Sequence, residues 1–194
     1  MIAEPKFNRL TPQEYLAWEA TQDLKYAYIN GEVFAMTGGT IAHNQIALNF
    51  ASALKAHLRG QGCLVVMADV KVEVSQNGPY HYPDVMVSCD SRDRNAIQLI
   101  RYPCLIVEVL SPSTAACDRS DKFTHYRQLP TLREYVLMSA DTMSVDRYRR
   151  LSSRHWDLQT YIAEEALDLT SVNWQVPLEL LYEDVQFITE EENA

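Results

Sequence analysis

The residues best placed to do chemistry are acids that sit where strands should be buried. Asp84 follows Pro83 at the mouth of the apolar run Val85-Met-Val-Ser88, and Glu108 lies inside Leu105-Ile-Val-Glu-Val-Leu110. An unpaired carboxylate in such a place costs several kcal/mol of desolvation, so something must compensate both acids. The compensation is either a Lys or Arg partner, forming a buried salt bridge, or a divalent cation held between the two carboxylates. Lys122, one helical segment downstream, is the available ammonium.

Positioning these groups is the task of the elements around them. Thr11-Pro-Gln-Glu is a capping box with Pro at the first helical position, and predicts a short helix to about Thr21. Two β-prone runs, Lys25–Gly31 and Glu32–Thr37, meet at Asn30-Gly31 and predict an antiparallel hairpin. Apolar residues from Ile41 to about Arg59 recur at three- and four-residue steps until Gly60 and Gly62, the pattern of the longest helix. Cys63–Val74 alternates as one half-buried strand, with Met67, Asp69, Lys71 and Glu73 on its polar face. The two acid-bearing runs are nearly continuous in apolar residues, as expected for central strands covered on both faces. Residues 90–101 are polar and predict a surface loop or helical turn. A helix over about Asp118–Leu129 ends at Pro130. Strands follow at 133–139, 144–149 and 156–162, then a last helical turn at 177–182. The chain, residues 1–194, reads as a single α+β domain on a mixed sheet.

Composition limits the functions open to it. Against 17 Lys and Arg stand 26 Asp and Glu, a formal charge of -9, which argues against coating nucleic acid by bulk charge but leaves room for a local basic groove. No apolar stretch is long enough to span a bilayer and the N-terminus has no signal-peptide core, which predicts a soluble cytoplasmic protein without membrane contact. Cys63, Cys89, Cys104 and Cys117 lack any zinc-type spacing and read as reduced thiols without chemistry.

The motifs extend along most of the chain. They comprise Tyr28-Ile-Asn-Gly-Glu-Val-Phe-Ala-Met36 with Gly38-Gly39-Thr40, His43-Asn44, and Tyr82-Pro-Asp-Val-Met-Val87. Downstream come Ile106-Val-Glu-Val-Leu-Ser-Pro-Ser-Thr114, and Asp118-Arg-Ser-Asp-Lys-Phe123 with Tyr126 and Glu134-Tyr135. Together they resemble the Uma2 family of the PD-(D/E)xK nuclease superfamily. The resemblance implies a restriction endonuclease-like α/β/α arrangement, a central mixed sheet flanked by helices, and Mg²⁺- or Mn²⁺-dependent hydrolysis of DNA by a homodimer. It also implies roles. Asp84, Glu108 and the carbonyl of Val109 would hold the metal, and Lys122 would replace the motif lysine, whose usual place two residues after Glu108 is taken by Leu110. His43, at the start of the long helix, and Glu32 are accessory candidates. A helix N-terminus depresses a histidine's pKa, so His43 is expected to be neutral, and helix capping or plain packing explains it equally well.

Ala27 and Asn30 stand where many members of the family carry acids, which points to a catalytically impaired binding or regulatory module as the alternative function. A structural oligomer in which Asp84, Glu108 and Lys122 form only an ion network is a third reading. Lys71, Arg147 and Arg149 are candidate nucleic-acid contacts, although a solvated strand face accounts for each of them as well.

Overall fold

The computed structural model describes residues 9–36, 38–111 and 114–187. Helix α1 (Pro12–Glu19) starts at the expected capping box, with the Thr11 hydroxyl and the Glu14 carboxylate each accepting the other residue's backbone N–H. β1 (Tyr26–Ile29) and β2 (Glu32–Ala35) form the antiparallel hairpin. Asn30 and Gly31 both take positive φ, as a tight two-residue turn requires. α2 (Ile41–His57) is the longest helix and is N-capped by Thr40.

The expected single strand over Cys63–Val74 is in fact two, β3 (Leu64–Met67) and β4 (Lys71–Glu73), which belong to different sheets. Ala68 between them adopts φ 51°, a left-handed conformation that ends an extended ladder. β5 (Tyr80–His81), β6 (Val85–Ser88), β7 (Leu99–Ile100) and β8 (Leu105–Leu110) follow. One helical stretch is then built from α3 (Ala115–Cys117), a π-helical turn (Asp118–Lys122) and α4 (Phe123–Tyr126). β9 (Glu134–Ser139), β10 (Ser144–Arg150) and β11 (Trp156–Ile162) occur as expected. The hairpin β12 (Ala166–Leu169) and β13 (Trp174–Pro177) was not foreseen, and α5 (Leu178–Leu181) is the final turn.

The sheet that carries the acids has six strands in the order β11-β10-β9-β8-β6-β3, and a second has five in the order β2-β1-β5-β4-β7. β8 and β9 pair in parallel while β6 and β8 run antiparallel, so the six-stranded sheet is mixed. Its two faces are covered differently. Val107, Val109, Val136 and Met138 pack with α2, β12, β13 and α5. Ile106, Leu110, Tyr135 and Leu137 pack with Tyr126, Leu129 and β4. The helical stretch is the crossover that a parallel strand pair demands, and it lies on this second face. Parity along β8 sets Glu108 on the same face, between Ile106 and Leu110.

Cys63 and Cys89 form a disulfide, contrary to the expectation of four reduced thiols. The β3–β6 register pairs Leu64 with Ser88, which sets residues 63 and 89 opposite each other. Cys104 and Cys117 are free thiols.

Candidate functional site

Asp84 and Glu108 meet through strand pairing. β6 and β8 pair Val85 with Val107, so the next position along the ladder sets Asp84 opposite Glu108. Directly opposed carboxylates repel each other, and a fold keeps them only where a cation shares the site. Asp84 is anchored further along β8, where its Oδ2 accepts the Val109 N–H at 2.7 Å.

The crossover helix supplies the cation. Asp118, Lys122 and Tyr126 recur at four-residue steps and point at the sheet face that bears Glu108. Lys122 Nζ lies 3.0 Å from Glu108 Oε2 and 2.8 Å from Asp118 Oδ1. The Tyr126 hydroxyl donates to Glu108 Oε1 at 2.8 Å. Glu108 and Asp118 are almost wholly buried, at 2% and 1% exposure. Burial, reinforced by Asp84 and Asp118, pushes the Glu108 carboxyl up to about 8 even though Lys122 pulls the other way. Burial also works against the charge on Lys122, but Glu108 and Asp118 outweigh it and hold the ammonium above its ordinary range.

His43 enters from the first turn of α2. Its Nε2 is 3.3 Å from Asp84 Oδ2. The hydrogen bond to Asp84 raises its pKa against the opposing effect of burial, and Glu108 and the Val109 carbonyl add to the rise. The expectation of a depressed His43 is thereby reversed: the carboxylates outweigh the helix terminus. A Cβ added to Gly39 would fall 2.8 Å from His43 Nδ1, so the glycine before the helix gives the imidazole its room.

These groups line one cleft of about 110 Å³, together with Met36, Gly38, Tyr82, Ser111 and Thr114. The structure thus brings together Asp84, Glu108, Val109, Lys122 and His43. It also adds Asp118, which sequence reasoning passed over. The signal was present in Asp118-Arg-Ser-Asp-Lys122, where an acid and a lysine at i,i+4 share a helix face.

The other candidates lie elsewhere. Glu32 is at the turn end of β2 and outside the cleft lining, while Met36, four residues and about 13 Å along the strand, is part of it. Lys71 is buried rather than solvent-facing, with Nζ 2.7 Å from Glu19 Oε2 and 3.1 Å from the Tyr82 hydroxyl. Tyr82 in turn donates to Glu19. Arg147 is buried against Tyr161, Asp157 and Gln159. Arg149 is held by Glu134 and Asp168. All three are paired with acids of the chain, Lys71 and Arg149 with the buried Glu19 and Glu134, Arg147 with the part-exposed Asp157 and Asp168.

The donor set suits a hard cation. Two carboxylates face one cleft beside the Val109 carbonyl, and Mg²⁺ takes one or two protein carboxylates while keeping waters for its other positions. Burial, more than its acidic neighbours, raises the Glu108 pKa, and a divalent ion would favour the charged carboxylate. Among the described residues, no three His, Cys, Asp or Glu side chains converge into a full protein cage.

The mixed sheet flanked by helices is a fold of restriction endonuclease-like class. Residues 12–180 match Uma2, described as "Putative restriction endonuclease", and the chain belongs to this family. The uncharacterized protein slr1290 of Synechocystis sp. is 38% identical over 181 residues, covering 93% of this chain and 95% of its own. A second uncharacterized Synechocystis protein, sll1609, is 31% identical over 159 residues, covering 81% and 90%. A crystal structure described as "a putative nuclease belonging to DUF820" from Anabaena variabilis superposes with a TM-score of 0.75 at 14% identity, covering 91% of this chain and 99% of that one. No helix among the described residues is long and apolar enough to cross a membrane.

Proposed function

We propose that this chain is a Mg²⁺- or Mn²⁺-dependent endonuclease that hydrolyses DNA phosphodiester bonds, acting as a single domain and paired as a homodimer so that two clefts meet two strands. The observation that carries the reading is Asp84 and Glu108, at the end of the β6–β8 ladder, sharing one cleft with Lys122. When bound between these carboxylates, a divalent cation supplies charge neutralisation at the phosphate and an acidified water. The chain's own residues do the rest. Lys122, held by Asp118 and kept charged, offers an ammonium to the negative charge that grows on the phosphate. Val109 N–H and His43 fix one oxygen of Asp84, which holds the carboxylate at the cleft. Protonated His43 adds a second positive charge at the cleft mouth, and deprotonated His43 accepts a proton from water. Tyr126 orients Glu108.

The test is plasmid cleavage in Mg²⁺ or Mn²⁺ by wild type, Glu108→Ala and Lys122→Ala, with Mn²⁺ titrated by calorimetry into wild type and Asp84→Ala. Cleavage lost in both variants and metal heat lost in Asp84→Ala is the expected result. Wild type without metal-dependent heat, or cleavage surviving in both variants, overturns the reading. The competing reading, an internal ion network without catalysis, is favoured by the closed chain Glu108–Lys122–Asp118. The same titration separates the two.

A further inference from the structure

A second concavity lies beyond the cleavage cleft, at the far end of the crossover helix. It is an open groove of about 580 Å³ lined by Thr124, Arg127, Gln128, Pro130, Arg150 and Ser153. Its lining contains two arginines, three neutral hydrogen-bonding side chains and no carboxylate, on a chain whose formal charge is -9. Among the described residues, Arg127, Arg133 and Arg150 take part in none of the ion pairs. Lys71, Arg101, Arg119, Lys122, Arg147 and Arg149 each meet an acid.

Arg150 is also fixed in place. Its Nη2 donates to the carbonyls of Arg127 at 2.7 Å and Leu129 at 2.8 Å, where the helix ends. Its guanidinium stands 4.6 Å from the centre of the Trp156 ring, and its Nε is buried without a partner. Burial lowers its pKa, and the neighbouring Arg133 and Arg127 add to the fall. Such a groove favours an anion whose oxygens accept from several donors at once, and phosphodiester oxygens do this.

We propose that Arg127 and Arg150, with Gln128 beside them, form a phosphate-binding groove that holds the nucleic-acid backbone flanking the scissile bond. This rests on the nuclease reading above. Arg127 follows Lys122 by five residues, directly after the helical stretch that ends at Tyr126, so the groove lies little more than one turn along the chain from the cleft. The groove replaces Lys71, Arg147 and Arg149 as the source of positive charge for a nucleic-acid ligand.

The test is fluorescence anisotropy of a labelled duplex and a labelled single-stranded oligonucleotide, with Ca²⁺ in place of Mg²⁺, over a series of salt concentrations. The proteins are wild type, Arg127→Ala and Gln128→Glu, each verified by thermal melting. Arg127→Ala is expected to bind about fivefold more weakly with a log–log salt slope shallower by about 1, for the one lost phosphate contact. Gln128→Glu is expected to weaken binding in the same direction. Unchanged affinity and slope in both, with Glu108→Ala still abolishing cleavage, overturns the groove and leaves the nuclease reading standing. Wild type that neither binds oligonucleotide nor cleaves it overturns both. Polyglutamate binding as tightly as the oligonucleotide assigns the groove to an acidic polypeptide and overturns the proposal.

Discussion

Replacing Lys122 by Met should reveal how the protein tolerates its buried acids. The substitution keeps most of the stem's volume and removes the ammonium that stands 3.0 Å from Glu108 and 2.8 Å from Asp118. Removing one partner of a buried ion pair costs about 3–5 kcal/mol, and the 20% exposure of the Lys122 side chain puts the expected loss near the lower end, about 3 kcal/mol. For a chain of this size that is a fall in Tm of about 6–12 °C. The assay is differential scanning calorimetry in EDTA, repeated with Mg²⁺. Mg²⁺ should stabilise Lys122→Met more than wild type, because the ion takes over a compensation the lysine no longer provides. A cycle with Glu108→Gln sharpens the measurement: with one acid already neutral, losing the ammonium should cost less by about 1–2 kcal/mol. A fall in Tm under about 2 °C, or an equal loss in the Glu108→Gln background, would refute the claim that Lys122 compensates these acids.

Two further outcomes follow from other buried groups. Lys71→Ala should destabilise by about 3 kcal/mol through the orphaned Glu19, yet leave oligonucleotide affinity unchanged; urea unfolding and anisotropy check the two halves. His81 is buried, bonded to His125 and close to Lys122, and burial first and these two cations next hold its pKa well below the ordinary 6.5. Below pH 6.5 the unfolded chain therefore binds a proton that the folded one refuses, so stability is lost as the pH falls. His125 is lowered too, by burial, and pushes the same way. Unfolding free energies measured between pH 7.5 and about 5 should fall more steeply for wild type than for His81→Gln, and parallel curves would count against the assignment.

The sequence made the chemistry legible where it violated an environment. A carboxylate inside Leu105–Leu110 and another after Pro83 stand out because burial is costly for them, and that cost is local information. Thr11, Asn30-Gly31 and the α2 periodicity marked their elements for equally local reasons. What stayed hidden depends on pairings between distant segments. The Val-x-Val alternation runs unbroken through Ala68, and a left-handed alanine carries no sequence mark, so two strands read as one. Lys71 finds Glu19 across 52 positions, and Arg149 finds Glu134 and Asp168 across neighbouring strands, so their charges looked free. The Cys63–Cys89 disulfide required the β3–β6 register. The β12–β13 hairpin turns through Thr170–Val172 and a left-handed Asn173, without the Asn-Gly or Asp-Gly signal that betrayed the first hairpin.

Because the β6–β8 ladder ends at Val85 and Val107, one position short of Asp84 and Glu108, the two acids are brought together by that pairing and not by the path the chain takes between them. The exposed stretch 94–98, between the buried Asp93 and β7, can lengthen, shorten or acquire a new recognition surface while the two carboxylates stay in place. Mutational drift there is free to remodel what the protein encounters, whereas a single inserted residue within β6 or β8 would turn one acid to the opposite face of the sheet and dismantle the pair.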